Sequence, residues 1–388
     1  MHFDPFSDAA FEDPYPQYAR FRSEDPVHWS EKLRAWLLLR HDDVAAAFRD
    51  DAHFSADRRR ARRAARDVAE QDAPVIRTIA SDPPECLPVR AILTATLVPR
   101  VRAMGPRIEA ITDELLDRMA GRREADVVAD FAHALPIRVI AELLDVPERE
   151  RARFQALSAT IARGMDRFYG ADAVARGLGE IGAFFLQLVI ERKDDGGDDL
   201  VRGLLRAEHH GDRLSDLEVT AMCTALVFAG HETTVSLIAG GLLALLRNPA
   251  ESERLRSDAT LVIPAVEELL RYESPPQFIS RVVGEPIELC GKRLRSGDSV
   301  LLGIGAANRD PAVFADPERL DVGRSPNPHV AFGLGTHVCP GAQLSRMEAR
   351  VALPAILGRF PRLRLAGKPT WRRTIILRAL ERLPVRLD

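Results

Sequence analysis

Between Ser215 and Asn248 the chain reads as one helix that must run through the middle of whatever it folds into. Ser215 and Glu218 have capping-box spacing, and the Asn248-Pro249 step ends the pattern because proline disfavours helical geometry in the residue before it. At 1.5 Å per residue such a helix spans about 50 Å. From Ala221 to Leu246 it is almost wholly apolar, so it needs burial in lipid or in protein along most of its length. His231 and Glu232 stand at its centre, where ionisable groups are most costly in a bilayer. The expectation is a helix buried through a protein core, with a functional break at Ala229-Gly230-His231-Glu232-Thr233-Thr234.

A second stretch supplies the chemistry. Phe332-Gly333-Leu334-Gly335-Thr336-His337-Val338-Cys339-Pro340-Gly341 sets one cysteine in a frame of glycines. Gly333 and Gly335 reach backbone angles that side chains resist, so the segment can close as a tight loop. Pro340 suits the first position of a helix, and Ala342 to Arg350 reads as that helix. Cys339 is then expected at a helix N-terminus, where free amides and the dipole favour the thiolate. Such a thiolate is a soft, electron-donating ligand for a haem iron.

The decapeptide resembles the haem-binding signature of the cytochrome P-450 family, Phe-Gly-x-Gly-x-His-x-Cys-x-Gly, at all six specified positions. Ala229 to Thr233 is similar to that family's oxygen-activation motif. Glu268 and Arg271 match its Glu-x-x-Arg pair, and Arg309-Asp310-Pro311 with Phe314 to Arg324 resembles the meander before the haem loop. The likeness runs from about residue 10 onward, dense from Leu217 to Arg350 and weak from Arg107 to Leu205.

The resemblance implies a mainly α fold with a small β-rich side, as a single domain over residues 1–388. It implies haem b (iron protoporphyrin IX) bound through Cys339. Phe332, Gly333 and Gly341 frame that ligand, and Ala229 and Gly230 lie on the oxygen side, Gly230 leaving room for a diatomic ligand. Arg90, Arg281 and His337 match positions that hold the propionates. The chain departs from the family at Cys86, which stands where a propionate-binding histidine is usual. Glu268 and Arg271 are structural by resemblance, with Arg319 as the expected third member.

The implied activity is that of a monooxygenase that oxidises a mainly apolar small molecule with O2. Thiolate donation promotes O–O cleavage. The two protons that cleavage requires are acid–base work for Glu232 and Thr233. The Thr233 hydroxyl can also bond back to the helix backbone. Electrons would come from a separate ferredoxin or flavodoxin. Ala225 to Thr233, Pro276 to Ile279 and Ile375-Ile376 are the implied pocket segments. A peroxide-using or aryl-coupling oxidase, and a non-catalytic haem sensor or carrier, remain open alternatives.

Composition narrows the setting. A net charge of -3 gives no reason to expect nucleic acid. Cys86, Cys223, Cys290 and Cys339 are far apart, which argues against a disulfide framework or a zinc site and fits a reducing compartment. The acidic, proline-broken start, Met1 to Asp8, reads as neither signal peptide nor membrane anchor, so a cytoplasmic protein is expected. Six arginines lie between Arg58 and Arg66. Their forks suit carboxylates and phosphates, which points to an anionic or carrier-bound substrate.

Locally, Val27 to Arg40 reads as a hairpin. Asp42 to Phe48 reads as a helix capped by Asp42, and Ser81 to Glu85 as a turn opening a helix that Pro88 threatens to shift. Asp194 to Asp199 reads as an exposed loop, and Glu285 to Val300 as strands around a Gly291-Lys292 turn.

Overall fold

The computed structural model describes residues 3–57, 60, 77–163, 171–193 and 196–388. The helix Asp216–Arg247 is its axis. Ser215 Oγ accepts from the Glu218 amide, and the Glu218 carboxylate accepts from the Ser215 amide. Both halves of the expected capping box are thus formed. Among the described residues this is the one helix long and apolar enough to cross a membrane, but 72% of that apolar window is buried in protein. Helices Ala134–Leu143, Arg151–Arg163, Ala171–Glu191, Val262–Tyr272 and Ala342–Arg359 pack around it. They share one large apolar core, to which the long helix alone contributes Val219, Val235, Ile238, Leu242 and Leu245. Burying each such side chain is worth about 1.5–3 kcal/mol, which offsets the ordering of a helix this long.

A five-stranded sheet forms the smaller side. Its order is Val27–Ser30, Ala35–Leu38, Ser299–Gly303, Phe278–Val283, Phe54–Ser55. All neighbours are antiparallel except Ser299–Gly303 on Ala35–Leu38. The hairpin from Val27 is therefore present as expected. The register Val300↔Arg281 sets Arg281 in the middle of the sheet.

Several local expectations shift. The helix after the hairpin is His41–Ala47, with Arg40 at its N-cap and Asp42 inside the first turn without a capping bond. Pro88 is the third residue of Cys86–Ala103, where a missing N–H breaks no intrahelical bond, so the start stays at Cys86. The later hairpin turns at Cys290 and Gly291, both at positive φ, between Ile287–Leu289 and Lys292–Leu294. Asp199 is buried and caps Leu200–Arg206 by accepting from the Arg202 amide. Of the arginine run, Arg60 alone is described; it pairs with Asp82 at 3.1 Å. Arg58, Arg59, Arg62, Arg63 and Arg66 lie outside the described residues.

One buried acid has a measurable signature. Glu348, in Ala342–Arg359, is 1% exposed, and its Oε2 has no hydrogen-bond partner. Burial raises its pKa well above the ordinary value, so it stays protonated in the fold. The unfolded chain releases that proton near pH 4.3, so stability falls as pH rises from there towards the folded pKa. The substitution Glu348→Gln keeps the shape without the proton. In urea melts its midpoint is expected to match the parent near pH 4.5 and to exceed it increasingly up to pH 8. A difference independent of pH would show that Glu348 is charged in the fold.

Candidate active site

The Cys339 loop is held at both ends. The Cys339 amide donates to Phe332 O at 2.9 Å, closing the loop on itself. Gly333 and Gly335 take φ of 66° and 69°, the left-handed region that favours glycine. Space demands glycine as well. A Cβ on Gly333 would lie 3.3 Å from the Phe48 ring, and one on Gly335 would lie 2.7 Å from Phe48 O. Phe48, at the end of helix His41–Ala47, is thus the wedge under the loop. Sequence reasoning missed it, because the glycine pattern says that something approaches but not what.

The helix after the loop begins at Ala342 with Gly341 as its N-cap, so Pro340 lies in the preceding turn and not at the first helical position. The amides of Gly341 and Ala342 nevertheless reach the Cys339 thiol. Burial pushes that thiol's pKa up, while these amides, Arg90 and Arg346 pull it down; the net direction is up. The loop alone therefore does not make a thiolate, contrary to the sequence expectation. A bound cation would, since coordination deprotonates a thiol.

Two guanidiniums and an imidazole gather beside it. Arg90 donates to Val338 O, and His337 Nδ1 donates to Ile79 O at 3.1 Å. Arg281 is buried on its strand, its guanidinium 5.5 Å from the Phe48 ring centre and hydrogen-bonded to the neighbouring Ser280 carbonyl. Among the described residues, neither Arg90 nor Arg281 has a carboxylate in ion-pair range. His337 Nε2 is buried without a hydrogen bond, 3.5 Å from Asp51 Oδ1. Burial lowers the pKa of both Arg281 and His337. Two guanidiniums without acids fit an anionic group with two carboxylates, and the unbonded His337 Nε2 joins them as a donor once the ring is protonated. Cys86 is fully buried at the head of Cys86–Ala103, one turn before Arg90, and burial raises its pKa.

Phe332 is braced from the other side. Arg346 lies 4.4 Å over its ring, and Glu267 holds Arg346 at 2.8 Å. Burial raises the Glu267 pKa, but hydrogen bonds from His329 and Arg346 outweigh it and leave the carboxyl at about 2. It is therefore ionised at any working pH.

The long helix runs unbroken through Ala229 to Thr234, so the expected break is not a break in the backbone. Thr233 Oγ1 donates to Ala229 O at 2.7 Å, the back-bond expected of a threonine there. Ala229 is exposed at mid-helix, with Ala225 and Thr233 partly so along the same face. Gly230 has a packing reason. A Cβ there would lie 3.1 Å from Ile140 Cδ1, so the glycine clears the crossing with helix Ala134–Leu143. Thr234 Oγ1 bonds to Ser345 Oγ at 3.2 Å and ties this stretch to the helix that follows Cys339.

Glu232 is 2% exposed. Its Oε2 pairs with Arg372, and its Oε1 has no hydrogen bond, with His133 Nδ1 at 3.7 Å and His231 Nδ1 at 4.0 Å. Arg372 and His133 come from distant parts of the chain, whereas His231 is the neighbour of Glu232 within the motif.

The structural pair is correct in two members and wrong in the third. Arg271 and Glu268 are fully buried and joined by two hydrogen bonds of 2.7 and 2.8 Å. The third member is Arg324, whose Nε lies 3.1 Å from both Glu268 oxygens. Arg319 contributes only its carbonyl, which accepts from Arg271 and from Arg324, while its side chain is exposed beside Asp321. Two arginines five residues apart in one meander cannot be told apart before the chain's reversals are known.

A closed, half-buried cysteine loop, two guanidiniums beside it that carry no carboxylate partner among the described residues, and an acid–threonine pair on a long core helix define a haem-thiolate protein. The family model described as Cytochrome P450 matches residues 185–369. The chain is 38% identical to Cytochrome P450 107B1 of Saccharopolyspora erythraea, covering 98% of this chain and 96% of that one. It is 39% identical to 6-deoxyerythronolide B hydroxylase of the same organism, covering 98% of each. The structure of the bacillaene polyketide synthase cytochrome P450 PksS of Bacillus subtilis 168 superposes with a TM-score of 0.92 at 36% identity over 100% of both chains. P450BioI in complex with a hexadec-9Z-enoic acid ligated acyl carrier protein gives 0.90 at 33% identity, over 98% of this chain and 100% of that one. The chain belongs to the cytochrome P450 family. It is a haem-thiolate monooxygenase, an oxidoreductase of the kind found in bacterial secondary metabolism.

Proposed function

We propose that this protein binds haem b through Cys339 and uses O2 to oxidise a mainly apolar small molecule, as one cytoplasmic domain served by a separate ferredoxin or flavodoxin. When bound, the haem supplies the activation of oxygen with two electrons. The protein supplies everything else. Arg90, Arg281 and His337 hold the propionates. Because His337 Nδ1 already donates to Ile79, its Nε2 donates only when the ring is protonated. Phe332, Gly333 and Gly341 shape the ligand loop, and Ala229 presents a small side chain on the oxygen side, with Gly230 beside it in the same turn.

Proton delivery falls to Glu232 and Thr233. The observation that carries this reading is Glu232 Oε1, buried and unbonded one residue from Thr233, while Arg372 fixes the other oxygen. A carboxylate so placed can take a proton from the half-exposed His133 side and pass it inward. The pair also favours oxygen activation over a peroxide-using, aryl-coupling or carrier role. With a surrogate ferredoxin and its reductase, Thr233→Ala is expected to keep consuming reductant. Product per electron should fall at least about tenfold, with peroxide released instead. Unchanged coupling refutes the assignment. Product formed equally well from peroxide alone favours the peroxide-using reading.

A second reading of the substrate rests on the neighbour bound to an acyl carrier protein and on the basic run from Arg58. In it, an anionic or carrier-bound acid enters past those arginines. Titrating the haem spin state with one fatty acid, free and as its carrier thioester, separates the two. Equal responses exclude a carrier.

A further inference from the structure

The group around Glu232 is built for more than a proton. His133, His231 and Glu232 each offer one ligand atom, and these atoms lie within 4.8 Å of one another. We infer that the three residues form a binding site for a single Zn2+ ion, which on binding takes Glu232 Oε1 out of use.

The ligand chemistry is specific. Two imidazoles and one carboxylate are a borderline N/O set, which suits zinc with one position left open. Tetrahedral donors at about 2.1 Å from zinc stand roughly 3.4 Å apart. The observed separations of 3.7 Å (His133 to Glu232) and 4.0 Å (His231 to Glu232) need only a small contraction. Two of the three ligands, His231 and Glu232, are also oriented by their other atom, as zinc ligands usually are. His231 Nε2 lies 3.2 Å from the His133 carbonyl, which can only accept, so Nε2 carries the proton and Nδ1 the lone pair. That lone pair meets Ser158 Oγ at 2.9 Å, a hydroxyl able to rotate away or to serve as a fourth ligand. Arg372 holds Glu232 Oε2 and leaves Oε1 as the free donor, buried and unbonded. Burial lowers the His231 pKa to about 4 and lowers that of His133, so both rings are neutral at pH 7. The His133 side chain is 36% exposed and opens a way in.

Binding does not depend on how Glu232 acts. Its consequence does: the inhibition expected below rests on Glu232 as the proton carrier. His209 and His210 form a second histidine pair on a surface turn, with ring centres 4.3 Å apart. They are replaced by Ala in the background used for every arm. Haem-loaded protein is dialysed against micromolar Zn2+, and bound zinc is counted per chain. One ion is expected, held about 10- to 100-fold less tightly after Glu232→Gln or after His133→Ala. Each variant must first show an intact ferrous–CO band. His133→Ala, at a half-exposed ring, is the safeguard if Glu232→Gln does not load haem. No retained zinc, or zinc held by both variants as tightly as by the parent, overturns the site. Where zinc binds as expected, coupled product should fall and return on chelation. Binding without loss of product supports the site and refutes the proton-carrier reading of Glu232.

Discussion

Changing Cys339 to Ser is expected to abolish the red-shifted Soret band of the ferrous–CO complex. The band reports electron donation from a thiolate to the iron, and an alcohol oxygen does not provide it. The loop itself should survive the exchange. Its shape depends on the Cys339 amide bond to Phe332 O, on the two left-handed glycines and on the Phe48 wedge, none of which uses the sulfur. Serine therefore removes the ligand and leaves the cradle. Haem should still associate through Arg90, Arg281 and His337, but without the thiolate spectrum and without product. A surviving red-shifted band would mean that the iron is held by another thiol. Cys86 is then the candidate to test, since it is the other cysteine near Arg90.

The second large effect concerns stability. Arg271→Ala should destabilise the protein by about 3–5 kcal/mol, because it leaves the Glu268 carboxylate buried without its main partner. Glu268 accepts bonds from Arg271, Arg324, Asn327 and the Asp321 amide. Arg271 also donates to the carbonyls of Asn308, Pro317 and Arg319. That one guanidinium joins helix Val262–Tyr272 to the meander that leads into the Cys339 loop. Arg324→Ala should follow in the same direction with a smaller loss. Arg319→Ala should stay within about 0.5 kcal/mol, because its carbonyl remains and its side chain is exposed. Denaturant midpoints of the three variants decide the order. Arg319→Ala more damaging than Arg324→Ala would reverse the assignment.

What could be read from sequence was local. The capping box at Ser215, the Thr233 back-bond and the Glu268–Arg271 pair all join residues within four positions of each other. Their geometry follows from helix periodicity alone. The left-handed glycines were legible for the same reason. What escaped were partners set by chain reversal. Phe48 and Asp51 serve the loop from nearly three hundred residues upstream, and Arg372 and His133 meet Glu232 from opposite directions. Gly230 shows the limit within one motif. A missing side chain was foreseen, but that it clears Ile140 depends on which helix crosses there.

The Ile79 carbonyl lies within 3.1 Å of His337 Nδ1 and 3.5 Å of an Arg90 nitrogen, and Arg90 in turn bonds Val338. These contacts bridge sequence separations of 258 and 248 residues. Loops of that length close late and only with the rest of the chain in place, so this cradle has a very high contact order. A chain whose distant segments have not yet met cannot form it. A ligand that binds only the finished cradle then stabilises the whole molecule in proportion to its own affinity. Haem occupancy thus becomes a gauge of global integrity. Substitutions far from the cysteine, in the Glu268 cluster or under Phe48, should register as lost pigment before they register as lost helix.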